Sequence, residues 1–136
     1  MNSRIIYTTD EGTVAILIPT DECGLSIEEI AAKDVPEGKE YKIVDVSTIS
    51  SDRSFRNAWV LDNEITVDIS KAKDITKNKL RVERKPLLEA QDILFMQAQE
   101  SGSDTSGIVT EKQRLRDITN QVDSMTTVEE LKGATV

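Results

Sequence analysis

The chain has 136 residues, 17 Lys and Arg against 25 Asp and Glu, and a formal net charge of −8. That length holds one domain, or one small domain with an appendage, and an acid excess of this size excludes a general affinity for nucleic acid or anionic lipid. There is no histidine and one cysteine, which removes Ser-His-Asp and Cys-His catalysis, His-containing metal sites, CxxC chemistry and an internal disulfide.

The charge is unevenly spread. Residues 1–68 carry 6 basic and 14 acidic side chains, whereas residues 69–136 carry 11 of each. The periodicity changes at the same point, from short β-like runs to helical spacing. The expected fold class is α+β: an acidic module over 1–68, a small β-meander with one short helix, then a helical region over 69–136 made of a hairpin and a short C-terminal helix.

The front module opens on Arg4–Thr9 and Thr13–Ile18 around Asp10-Glu11-Gly12, which reads as a β-hairpin. Ile6, Val14, Ile16 and Ile18 fall on one face by period 2, and Pro19 ends the second strand. The first apolar run is too short for a secretory signal or a membrane span, so a soluble protein kept in a reducing cytosol is expected. Lone Cys23 reads as a loop residue beside Glu22, not a nucleophile. Ser26 with Glu29 forms a capping box for a short helix, and Pro36-Glu37-Gly38 forms a turn. Tyr41–Val46, Phe55–Leu61 and Glu64–Val67 read as strands. Phe55 and Trp59 either fill the core from one strand face or, for Trp59, anchor a partner.

In the rear region, helices are expected over about 69–100, 108–119 and 126–133. Asp68 suits the N-cap of the first. Pro86 lies inside it, and a proline there costs about 3 kcal/mol, so a kink or break at Lys85-Pro86, or two helices in near-continuation, is expected. Leu87, Leu88, Leu94 and Phe95 on the first helix, and Ile108, Leu115 and Ile118 on the second, recur at helical spacing. They form the apolar faces of an antiparallel pair across the Ser101–Ser106 loop, with Arg114, Arg116 and Asp117 expected to pair with Asp92 or Glu89. Thr126–Leu131 repeats a capping-box pattern, and Gly133 stops the last helix. Lys71, Lys73, Lys77, Lys79, Arg81, Arg84 and Lys85 place seven positive charges in fifteen residues. This stretch reads first as a solvated face, then as a surface for an acidic partner such as the front module of another copy, and last as a nucleic-acid contact, which the lack of interleaved aromatics disfavours. The paired carboxylates sit in turns and at a helix start. No catalytic, cofactor-binding or metal-binding residue is assigned.

Two stretches carry a family resemblance. Arg84-Lys85-Pro86-Leu87-Leu88-Glu89-Ala90-Gln91-Asp92, followed by Lys112-Gln113-Arg114-Leu115-Arg116-Asp117-Ile118, resembles the C-terminal segment of phage tail assembly chaperone-like proteins. Those show an Arg, a Leu-Leu pair and an Asp on one helix, then a basic-Gln-x-Leu-Arg-Asp-Ile signature on the next. Here these are Arg84, Leu87, Leu88, Asp92 and Lys112 to Ile118, and Ile93 stands where the family commonly has Trp. Asp52–Trp59 looks like part of the variable front modules of accessory proteins from tailed-phage tail-fibre regions. The resemblance implies a non-enzymatic protein that binds a phage tail or tail-fibre protein, as assembly chaperone or fibre accessory, in the host cell cytoplasm during assembly. A virion structural part, such as a head–tail adaptor or capsid decoration protein, is the alternative. The partner-binding residues expected are Leu87, Leu88, Leu94, Phe95, Leu115 and Trp59. A homo-oligomer is a further expectation; nucleic acid and membrane are not expected partners.

Overall fold

The computed structural model describes residues 2–136. The chain is mixed α+β and divides into two compact units, Met1–Asp68 and Ile69–Val136.

In the first unit, β1 (Ser3–Thr8) is the centre of a three-stranded antiparallel sheet, between β2 (Val14–Leu17) and β3 (Tyr41–Asp45). The β1–β2 register pairs Ile6 with Ile16 and Thr8 with Val14. The turn closes with Thr9 N–H donating to Thr13 O at 2.8 Å, and Gly12 takes a left-handed φ of 80° that a side chain would strain. Successive strand residues point to opposite faces, so Ile5 and Ile6 serve different cores. Ile5 packs with Ile30, Ala31 and Val35 under α1 (Ile27–Asp34); Ile6 and Val14 pack with Trp59. The first helix starts where the local chemistry predicts. Ser26 Oγ accepts from Glu29 N–H, and Glu29 Oε2 accepts from Ser26 N–H at 2.7 Å, so two free helix donors are satisfied reciprocally.

Two strand assignments change. Ile18 lies beyond the end of β2 and is 66% exposed, so it leaves the face it was expected to share. The next residue, Pro19, cannot continue the ladder. The expected strand from Phe55 to Leu61 is instead a 3-10 turn, Arg56–Ala58, followed by β4 (Trp59–Leu61), which pairs with β5 (Ile65–Val67). Local bonds favour the turn: Asp52 Oδ1 accepts from both the backbone and the hydroxyl of Ser54, and Ala58 N–H donates to Phe55 O at 2.9 Å. The turn aims Arg56 back at β2, where its guanidinium donates to Val14 O.

The second unit is built on α2 (Ile69–Ser101), a single helix of 33 residues and about 50 Å. It runs through Pro86 without the expected break. Proline removes one backbone donor, but Pro86 and Val82 are both exposed, so water can solvate the freed Val82 carbonyl. The helix stops at Gly102, with φ 70°, where Ser103 N–H donates to Ala98 O and Gly102 N–H to Gln99 O, a Schellman closure. Then follow α3 (Ser106–Arg116), a 3-10 segment (Ile118–Ser124) and α4 (Val128–Lys132), all packed on α2. Thr127 caps α4 by accepting from Glu130 N–H. The buried residues are Ala72, Thr76 and Leu80 on α2, and Leu115, Val122, Leu131 and Ala134 on the covering elements.

Candidate functional site: the α2–α3 hairpin

The C-terminal half of α2 and the antiparallel α3 hold most of the residues singled out from sequence, and the structure separates them into three groups. Leu115 is 1% exposed and belongs to the core. Leu88 and Phe95 are half-buried, on the side of α2 that carries Arg84 and Gln91 toward α3. Leu87 and Leu94 are 43% and 46% exposed. At about 100° per residue they continue the line of Thr76 and Leu80 along α2. That line is buried at Thr76 and Leu80 and open at Leu87 and Leu94.

Trp59 lies elsewhere, in the first unit, and is 2% exposed. Its ring is covered by the Arg56 guanidinium at 4.7 Å and by Arg53 at 5.8 Å. It serves the core of its own unit and is not a surface anchor, because presenting it to a partner would require opening that core. Burial first, and then the neighbouring Arg53, pull Arg56 below its ordinary value.

The polar residues of the hairpin fix its register, with partners other than those expected. Lys112 binds Asp92 at 2.5 Å, with its ammonium 5.2 Å from the Phe95 ring centre. Arg84 reaches across to the end of α3 and donates to Leu115 O at 3.3 Å and Arg116 O at 2.7 Å. A cation on the last carbonyls of a helix meets both their unfilled bonding capacity and the negative end of the dipole. Arg114 pairs with Glu111 on its own helix, and Asp117 accepts from Gln113, so neither bridges to α2. Sequence spacing identified the correct helices. It could not choose among neighbouring charges, since that depends on how α3 is rotated about its axis.

Much of the basic stretch is occupied within its own unit. Lys73 donates to Asp123 O at 3.1 Å, Lys77 binds Asp123 Oδ1 at 2.6 Å, and Lys79 lies 3.7 Å from Glu83. Hydrogen bonding to Lys77, and then its charge, hold the Asp123 carboxyl below the usual carboxylate range. The folded state therefore gains from this pair above about pH 4, the ordinary aspartate value. The gain disappears as the pH falls through the lower folded value. The Asp123→Asn variant is expected to lose less stability on acidification from pH 6 to pH 3 than the parent, as read by urea midpoints at each pH.

Among the described residues no group of three or more Cys, Asp or Glu side chains is placed to hold a metal ion. Cys23 is exposed, and its thiol donates to Thr20 O at 3.0 Å. No described helix is long and apolar enough to cross a membrane. The sequence reading missed a second exposed apolar line on α2, made of Val82, Ile93 and Met96. Its signal was the spacing of i, i+11 and i+14, masked by Glu89 in the intervening position. No family model, curated protein or solved structure matches the chain.

Proposed function

We propose that the chain is a non-enzymatic tailed-phage protein that binds a tail or tail-fibre component, as an assembly chaperone or fibre accessory. The observation that carries this reading is the open line of Leu87 and Leu94 beside a hairpin whose register is fixed by Arg84, Asp92 and Lys112. The residues that resemble the chaperone-like segment thus include the scaffold of the hairpin and Leu87, one of the two apolar side chains it leaves uncovered. Exposed apolar side chains held on a rigid helix suit transient coverage of another protein's apolar surface.

The test is affinity capture of the tagged chain from phage-infected cells, with mass spectrometry of the captured material and of purified particles. The chain is expected to capture a tail or tail-fibre polypeptide. Leu94→Asp is expected to reduce that capture at least tenfold, equivalent to about 1.4 kcal/mol, with an unchanged circular dichroism spectrum because Leu94 is not part of the buried core. Capture that is indifferent to Leu94→Asp would remove the mechanism. Stoichiometric retention in purified particles would favour a virion structural part instead.

A further inference from the structure

The charges along α2 run against the helix dipole. Residues 69–85 carry seven basic and two acidic side chains, and residues 86–101 carry three acidic and no basic ones. A helix macrodipole favours the opposite arrangement, with acids at the N-terminus and bases at the C-terminus. Internal contacts neutralise only part of this. Lys73 and Lys77 meet Asp123, Lys79 meets Glu83, Arg84 meets the carbonyls of Leu115 and Arg116, and Asp92 has Lys112. Lys85, Glu89 and Glu100 are exposed and have no charged partner among the described residues. On the same side of the helix lie Val82, Ile93 and Met96, exposed by 73%, 53% and 55%. Beside them is a shallow groove of about 310 Å³ lined by Arg81, Arg84, Lys85, Leu88 and Glu89. By the 100° step this face lies across the helix from Leu87 and Leu94.

We infer that this face is a self-association surface, on which the α2 helices of two copies of the chain pack antiparallel. The occupant follows from charge. An antiparallel copy brings the acidic C-terminal half of one α2 alongside the basic N-terminal half of the other, twice by symmetry. It sets Lys85 near Glu89 of the other copy, offsets both misplaced helix-end charges, and places Val82 beside Ile93 of the other copy, with Met96 flanking them along the seam. A parallel copy would place base on base and acid on acid. The second unit has equal numbers of acidic and basic residues, so two copies meet there without net repulsion. Another exposed apolar feature, Tyr41 and Ile43 on the edge strand β3, belongs to the unit that carries the whole charge of −8 and lacks this complementarity. The inference does not depend on the tail-binding reading, because it uses a different face of α2.

Sedimentation equilibrium of the full chain over a range of concentrations tests it. A dimer is expected. Ile93→Asp with Met96→Asp is expected to give a monomer of unchanged helix content, since neither side chain is buried. Lys85→Glu and Glu89→Lys are each expected to weaken association roughly tenfold, because each places like charges together at two symmetric positions. The double variant, Lys85→Glu with Glu89→Lys, is expected to restore it, since the swap rebuilds both pairs in the antiparallel arrangement. A chain that stays monomeric at roughly 0.5 mM, well above the range of specific dimers, overturns the inference. So does a dimer indifferent to the apolar pair of substitutions, or single charge variants whose defects add in the double variant.

Discussion

Replacing Trp59 with alanine is expected to destabilise the first unit by about 3–5 kcal/mol, the usual range for truncating a buried large aromatic side chain. Trp59 lies between the sheet and the β4–β5 hairpin, with Ile6 and Val14 against it and Ile16, Val44, Leu61 and Val67 around it. Its removal leaves a void lined from several strands, which a unit of this size cannot collapse to fill. It also leaves Arg56 and Arg53 without the ring face they cover. Arg56 then keeps only its bond to Val14 O. Small domains have total stabilities of about 5–15 kcal/mol, so a loss of this size is a large fraction of what holds the first unit folded. The measurement is a urea titration followed by circular dichroism, with Trp59→Phe as a milder comparison. The β-sheet signal is expected to melt at lower urea while most of the helical signal, which comes from the second unit, persists. A midpoint unchanged by Trp59→Ala would show that the ring carries little of the packing.

Local chemistry made part of the fold legible and long-range docking hid the rest. The Ser26–Glu29 box and the β1–β2 hairpin were readable because each depends on residues a few positions apart. The step in charge and periodicity falls at residue 68, where the first compact unit ends. The segment from Phe55 to Ala58 was not readable, because apolar–polar alternation is the same in a strand and in a tight turn. Only the Asp52–Ser54 bonds and the reach of Arg56 to Val14 select the turn. The continuity of α2 through Pro86 was hidden for a related reason. The cost of the proline depends on whether the freed carbonyl meets water, and exposure is not written in the local sequence. On the hairpin, Leu87, Leu88, Leu94 and Phe95 together span a wider arc than one neighbouring helix covers. Which two become half-buried is decided by the rotation of α3, which Lys112 and Arg84 fix from 20 and 31 residues away in sequence.

This division within one stripe underlies the second large effect. Leu115→Ala is expected to cost the second unit about 2–5 kcal/mol, whereas Leu94→Ala is expected to cost under about 1 kcal/mol. The two leucines have the same chemistry, and Leu115 falls in a segment that resembles the chaperone-like pattern while Leu94 lies two residues beyond the other. Leu115 is 1% exposed, is the buried residue of α3, and carries the carbonyl that Arg84 binds at the helix end. Shortening it removes apolar atoms from the core and loosens the turn that Arg84 closes. Leu94 has nearly half of its surface in water already, so less transfer energy is lost and no sealed cavity forms. Thermal melts followed at a helix-sensitive wavelength should therefore separate the two variants by several degrees, with Leu115→Ala the lower. In capture from infected cells the order is expected to reverse at temperatures where both variants are folded. Leu94→Ala would then lose partner and keep stability, and Leu115→Ala would lose stability and keep partner. Equal losses of stability would mean that Leu94 is covered within the chain, and the open line along α2 would then have no role in binding.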